Sequence, residues 1–390
     1  MRRIVVKYYS RLNLGDDLFI VLLAKNFPDI SFRLIGNPLY ISKIKSRPKN
    51  LKPQYITSLL LTALAFLSCR FHRIKTFYMK CEEAVDSHVD LLIQISGSIF
   101  METPQDKYTD YLDPTEKITF ESAIEHRKKK LSNLSFNRKS KIIIGANIGP
   151  IYTEAYLQYV RKCLSSYSLV CLRDLYSYSL CSDMNNVVYA PDVIFNLEGL
   201  NHSVKKDDKQ HIVFSVICAD DKLELRGRAE KYYQLLADTI SVLSSEYIID
   251  LVSFCDKEGD PKGIKELKSR FGDNKDNVNV YNYDGDITKI LTVFKQADYI
   301  IASRFHAMII GMLYGKPVFP ICYGAKMIYY LQDVNFTGKA CDFKSLESMT
   351  VDDVLFNFKH NIICECEQHK SFAHLQFEGI KMYLFDQDQR

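Results

Sequence analysis

The stretch Tyr299-Ile-Ile-Ala302-Ser-Arg304-Phe-His306-Ala-Met-Ile-Ile-Gly-Met-Leu-Tyr-Gly315-Lys-Pro317-Val318 decides the reading of this chain. Its four-residue apolar run, short polar break and following helical spacing predict a strand that hands over to a helix. In an α/β sheet the helix N-terminus at such a junction presents N–H groups and the positive end of a dipole. Arg304 adds a guanidinium that can grip phosphate or carboxylate through paired hydrogen bonds. A histidine two residues on, His306, is the side-chain type that can give or take a proton near neutral pH. The opposing reading is a buried arginine that satisfies carbonyls, with a capping histidine. It has to accommodate two cationic groups at one junction with no anion, which is costly. The stretch therefore predicts an enzyme site for a phosphorylated acid or a phosphate ester.

Working outward, the same alternation recurs. Ile212–Ile217, Ile248–Phe254, Val278–Tyr281 and Val318–Ile321 read as strands, and Ala229–Ser244, Ile264–Phe271 and Ile287–Ala297 as the helices among them. Toward the N-terminus, Ile4–Tyr8, Leu91–Ile95, Ile142–Gly145, Leu169–Leu172 and Val187–Tyr189 are buried-strand candidates. Leu18–Phe27, Lys117–Lys130 and Glu154–Ser165 have helical spacing. Strands that alternate with helices imply parallel sheets with right-handed crossovers. The polar segment Asn201–His211 breaks the series and is the best linker. At 390 residues two domains are the natural division. The expected fold is α/β, two Rossmann-like doubly wound domains facing a cleft. Residues 1–200 would form the N-terminal, acceptor-side domain, 201–345 the C-terminal domain with the strand–helix junction, and 346–390 a helical extension packing back on the first.

Hydrophobic content of 47% and charged content of 25% are those of a globular protein, and a net charge of +4 indicates no global field for nucleic acid. The charge is unevenly spread. Between Ser31 and Lys80 there are ten basic residues and no acidic one, so the rest of the chain is net acidic. Eleven cysteines lack framework spacing, and the chain opens without a signal-peptide pattern, so the expectation is a reducing cytoplasm. Cys364-Glu-Cys366-Glu-Gln-His369 lacks a fourth ligand at a recognised spacing, and no metal site is expected.

Ligands of doubly wound folds lie beyond the carboxyl ends of strands, so the strand-end loops carry the chemistry. Asn13-Leu-Gly15-Asp16 follows the first strand, where Gly15 allows a tight turn and Asp16 can cap the helix. Ser96-Gly97-Ser98 offers small residues past which a ligand can approach the backbone. Gly145-Ala-Asn147-Ile-Gly149-Pro150 follows another strand, and Leu172-Arg173-Asp174 brings an arginine to the sheet's ligand edge. Singly these loops have plain readings: an N-cap at Asp16, a turn at Asp192, a surface contact between Arg173 and Asp174.

Taken in chain order, they resemble the polysaccharide pyruvyl transferase family. The resemblance runs through Asn13-Leu-Gly-Asp16, Gly145-Ala-Asn-Ile-Gly-Pro150, Arg173-Asp-Leu-Tyr-Ser177, Ala190-Pro-Asp192, Ser303-Arg-Phe-His306-Ala, Gly315-Lys-Pro-Val318 and Tyr323-Gly-Ala-Lys326, to about Phe336. It departs at Ser96-Gly97-Ser98, where the family's turn is richer in glycine, and it does not reach the segment after Phe336. It implies a GT-B-like fold and transfer of the enolpyruvyl carbons of phosphoenolpyruvate to a sugar as a pyruvate ketal, with no cofactor beyond that donor. It associates Arg173, Arg304 and His306 with phosphoenolpyruvate. On this basis His306 is the expected acid, or else neutralises the leaving phosphate, and Asp16, from the opposite domain, is the base for a sugar hydroxyl. Arg173, Arg304, Ser303, Asn13, Gly15, Gly97, Asn147 and Lys326 form the expected substrate-binding set.

One segment stands apart. Tyr55–Leu67 is the most apolar run of the chain, too short to span a bilayer and flanked by Lys43, Lys45, Arg47, Lys49 and Lys52 before it and Arg70, Arg73 and Lys75 after it. It reads equally as a core helix or as an interfacial anchor, with 41–80 resting on an anionic inner membrane face where a polyprenyl-linked sugar would be presented. Two rival functions remain. A nucleotide-sugar glycosyltransferase of the same fold would add an acidic residue for the donor ribose, which Ser303–Leu313 lacks. A non-catalytic sugar- or membrane-binding module would not need paired cations at strand ends. Nucleic-acid binding is not expected, since the centre of the basic window is apolar.

Overall fold

Short runs of branched aliphatic residues become strands because their side chains fill both faces of a covered sheet. The computed structural model describes residues 2–388 except 46, 71, 96, 104–110, 138, 201–208, 223–224, 226, 272–276 and 343. The chain divides into two compact units. Met1–Arg11, Asp16–Val193 and Phe372–Arg390 make the first, and Leu12–Gly15 with Ile194–Ser371 the second.

The first unit holds β1 (Ile4–Lys7), β2 (Phe32–Ile35), β3 (Leu51–Pro53), β4 (Leu91–Ile95), β5 (Ser98–Phe100), β6 (Ser140–Ile148), β7 (Leu169–Leu172) and β8 (Val187–Tyr189). They form a parallel sheet in the order β3-β2-β1-β4-β6-β7-β8, with β5 on β6. The second unit holds β9 (His211–Ser215), β10 (Ile248–Ser253), β11 (Val278–Asn282), β12 (Tyr299–Ala302), β13 (Val318–Cys322) and β14 (Cys341–Asp342). Their order is β11-β10-β9-β12-β13-β14, again parallel. In both sheets the third, second, first and fourth strands lie side by side, which is the doubly wound order. The strand order therefore reverses between β1 and β4 in one unit and between β9 and β12 in the other, the two places where such folds bind ligands. The Rossmann-like α/β expectation is what the sheets show.

The decisive stretch folds as read. Tyr299, Ile300, Ile301 and Ala302 of β12 have no exposed surface, and the helix Phe305–Leu313 follows directly. Besides the three-residue β5, two strands of the first unit, β2 and β3, have no counterpart in the sequence reading. They are four and three residues long, and exposed Arg33 and Lys52 interrupt their apolar pattern. Of the expected linker Asn201–His211, residues 201–208 lie outside the described residues, and the contact boundary falls earlier, at Val193.

The segment expected as one extension from 346 is divided. Residues up to Ser371 stay with the second unit and only Phe372–Arg390 belong to the first. Buried Arg127 fixes that return, donating to Glu378 Oε2 (2.8 Å) and to the carbonyls of Leu375 (2.6 Å) and Tyr189 (3.0 Å). Gln376 adds three bonds, accepting from Gly145 N (2.9 Å) and donating to the carbonyls of Ala190 (2.7 Å) and Pro191 (3.1 Å). Buried backbone groups left by the strand-end loops are thus satisfied from the C-terminal segment.

The apolar helix Tyr55–Arg70 is not enclosed. Ser58 and Leu61 face inward, Leu61 packing with Val5, Ile35, Val89 and Leu92. Tyr55, Ile56, Leu59, Leu60, Phe66 and Leu67 are exposed, at 80% for Ile56 and 75% for Phe66. Their spacing puts them on one face. No described helix is long and apolar enough to cross a membrane.

Candidate active site

In the first unit four expected residues meet at the carboxyl ends of β1, β4, β6 and β7. Arg173 leaves β7 with 3% exposure. It donates to Asn147 Oδ1 (2.8 Å) and Asp192 Oδ2 (3.0 Å). Asn147 N donates in turn to Gly97 O (3.3 Å), and Asn147 Oδ1 also accepts from Ser98 Oγ (3.1 Å). Gly97 lies between charges, for a Cβ there would sit 3.9 Å from Arg173 Nη2 and 4.0 Å from Asp16 Oδ1. Asp174 does not pair with Arg173. It caps the next helix through Ser177 N (2.7 Å), and burial pushes its carboxyl up to about 6 against the pull of those hydrogen bonds.

The second unit brings Asn13, Gly15, Arg304, His306 and Lys326 to the ends of β12 and β13. Asn13 bridges to Cys255, and its amide donates to Glu258 Oε1 (3.3 Å). Gly15 N donates to Asn13 Oδ1 (3.1 Å). The His306 imidazole lies so close to Gly15 that a Cβ there would stand 1.7 Å from Nδ1. Gly15 is thus required by close approach to the ring rather than by turn geometry. The Phe305 ring supports the imidazole edge-on at 5.1 Å.

Arg304 departs from the expectation. It was to be a cation open to an anion, but it is 6% exposed and held by two carboxylates. Nε donates to Asp260 Oδ2 (3.0 Å), Nη2 to Asp260 Oδ1 and Nη1 to Glu258 Oε2. Asp260 has no exposure and also accepts from the backbone of Phe254 (2.9 Å) and Cys255 (3.0 Å). A guanidinium buried this far needs anionic partners or the fold loses several kcal/mol, roughly 3–5 when such a pair is broken. Burial alone would raise the Glu258 carboxyl, but Arg304, Lys222 and Lys326 bring it down to about 2. Arg173 is likewise partnered, by Asp192. Ser303 also differs, being fully buried with its hydroxyl accepting from Tyr232 (2.9 Å), so it supports the strand end instead of lining a surface.

Sequence reasoning gave Asp192 only a turn, and no role to Lys222, Glu258, Asp260 or Tyr323. Of these, Glu258 and Asp260 had a signal, because Asp256-Lys-Glu258-Gly-Asp260 follows β10 as the other loops follow their strands. Among the described residues no three His, Cys, Asp or Glu side chains are grouped to hold a metal.

Two doubly wound units with polar residues gathered at their strand ends define the class, a GT-B-like α/β protein. Its fold is similar to UDP-GlcNAc 2-epimerase from Neisseria meningitidis bound to UDP-GlcNAc (TM-score 0.57, 10% identity, 98% of this chain and 100% of that one). It is also similar to S. aureus MnaA in a co-structure with UDP (0.56, 11%, 96% and 91%). HepE of Anabaena in complex with UDP-glucose is a third likeness (0.51, 11%, 100% and 99%). At such identities the likeness is one of fold. No curated protein sequence matches the chain. Residues 13–324 match the family described as polysaccharide pyruvyl transferase, and the chain belongs to that family. Lys326 lies just past the matched range.

Proposed function

We propose that this transferase moves the enolpyruvyl carbons of phosphoenolpyruvate onto a sugar of a polysaccharide, or of its lipid-linked precursor, as a pyruvate ketal. Family membership across residues 13–324 carries the reading. His306 protonates the methylene carbon, leaving cationic character at C2. Two sugar hydroxyls add there in turn, the C2–O bond to phosphorus breaks and inorganic phosphate leaves. Of the two hydroxyl protons, one replaces that given to carbon and the other leaves with phosphate. Asp16 accepts a proton from a hydroxyl, and such acid–base assistance is worth about 10²–10⁴ in rate. Arg173 and Arg304, fixed by carboxylates, set the shape and field around the substrate. Mass spectrometry of an acceptor oligosaccharide incubated with phosphoenolpyruvate tests this. The expected product gains one pyruvyl group, and an unmodified acceptor after full incubation sinks the reading.

Nucleotide-sugar transfer is the second reading, because one observation favours it. Ser303–Leu313 has no acidic residue, but Glu258 stands beside Arg304, partly exposed and ionised, where a ribose could be bound. Calorimetry with UDP-sugar against phosphoenolpyruvate separates the two.

We also propose that the helix Tyr55–Arg70 rests on an anionic membrane. Its exposed apolar face lies in a segment that also exposes Lys43, Lys45, Lys49, Lys52, Lys75 and Lys80. Apolar insertion and lipid charge then act together. The acceptor on this reading is polyprenyl-linked. Flotation with vesicles decides it: anionic vesicles should carry the protein and neutral ones should not, and no flotation at low salt would overturn it.

A further inference from the structure

With Arg304 committed to Asp260 and Glu258, some other group of the second unit has to meet a phosphoryl oxygen. Lys326 Nζ stands 5.7 Å from the Tyr323 ring centre and 5.9 Å from that of Phe305, and no described carboxylate pairs with it. Lys222 Nζ lies 5.3 Å over the same Tyr323 ring and 3.2 Å from Glu258 Oε2. Tyr323 is 9% exposed, yet its hydroxyl makes no hydrogen bond to any described residue. The ring is enclosed while the oxygen reaches solvent, where it is open to a ligand. Burial raises its pKa, but Lys326, Arg304 and Lys222 outweigh burial and hold it below the usual phenol value. The adjoining helix Ala325–Asp333 begins at Gly324 with no side-chain cap, and a Cβ at Gly324 would meet no atom within 4 Å. Met327 N donates to Gly324 O (3.1 Å), while the N–H groups of Ala325 and Lys326 make no hydrogen bond to any described residue.

We propose that Lys326, Lys222, the Tyr323 hydroxyl and the Ala325 and Lys326 N–H groups that open the helix Ala325–Asp333 form a phosphoryl-binding pocket, with the Arg304 ion pairs as its fixed wall. Three cations here face two carboxylates, so the cluster carries one positive charge in excess. The unpartnered phenol donates to a phosphoryl oxygen and the uncapped helix end accepts the anion. On the pyruvyl-transfer reading, on which this assignment rests for its ligand, the group bound is the phosphate of phosphoenolpyruvate. The diphosphate of a nucleotide sugar would present the same chemistry.

The test is calorimetric titration of the full chain with phosphoenolpyruvate, inorganic phosphate and UDP, for wild type, Lys326→Met, Lys326→Arg and Tyr323→Phe. Lys326→Met should weaken phosphoenolpyruvate and phosphate about ten- to hundredfold, and Tyr323→Phe about three- to tenfold. Lys326→Arg should restore most of the loss, with thermal midpoints unchanged throughout. If UDP binds, phosphoenolpyruvate does not, and Lys326→Met weakens UDP, the pocket stands and the donor reading fails. If Lys326→Met and Tyr323→Phe bind like wild type, or wild type binds none of the three ligands, the pocket is overturned.

Discussion

Arg304 shows how a side chain chosen for charge comes to serve architecture. Its three hydrogen bonds to Asp260 and Glu258 hold the strand end, β12, to the loop after β10. Arg304→Ala should therefore lower stability by about 3–5 kcal/mol, since buried Asp260 loses its ion-pair partner and Glu258 keeps only Lys222 and the Asn13 amide. Denaturant unfolding measures this, and an unchanged midpoint would mean that the arginine is free for substrate. Gly15 makes the opposite case. On helix propensity alone Gly15→Ala gains about 0.5–1 kcal/mol, but its Cβ would overlap the His306 ring. Overpacking of that order costs about 1–3 kcal/mol or displaces the ring. The substitution should lower turnover at least about tenfold while the fold survives, and full activity would detach His306 from catalysis. Arg304 and His306 were legible because both lie within one short motif. Their partners were not, since Asp260 lies 44 positions away and Gly15 291.

Elements were legible wherever one period ran unbroken. β4, β7, β8 and β12 have the bounds that their apolar runs gave, whereas β2 and β3 are cut short by exposed basic residues. The helix Tyr55–Arg70 could not be resolved by pattern, because a helix apolar on most faces fits a core and a membrane surface equally. The exposure of Ile56 and Leu60 rules out an enclosed core helix. On the proposed membrane reading the double variant Ile56→Asp with Leu60→Asp should abolish vesicle flotation without lowering stability, since both side chains already face water. Loss of stability with flotation retained would refute the surface assignment. His369, on the helix Glu367–Phe372, is buried against Phe195 and Tyr330, and burial drives its pKa down to about 4. Above pH about 6.5 the imidazole is neutral folded or unfolded. As pH falls toward 4 only the unfolded chain takes the proton, so stability drops by about 3 kcal/mol in total. His369→Phe should flatten that part of the stability–pH curve, and an unaltered slope would contradict the burial argument.

At the scale of the whole molecule, the alternation of strands and helices specified two doubly wound sheets, and the strand order placed their switch points where the loops carry polar residues. The chain's membership was less legible. Leu12–Gly15 belongs with the second unit and Phe372–Arg390 with the first. Both exchanges rest on hydrogen bonds to distant loops, such as Leu14 N to Phe254 O and those of Gln376, which leave no periodic trace. The family places this fold among pyruvyl transferases, and acceptor-dependent phosphate release from phosphoenolpyruvate by the purified protein tests the donor most directly. The account predicts one phosphate for each acceptor modified, falling at least about a hundredfold in His306→Ala. Phosphate release that ignores the acceptor, or that persists undiminished in His306→Ala, would contradict it.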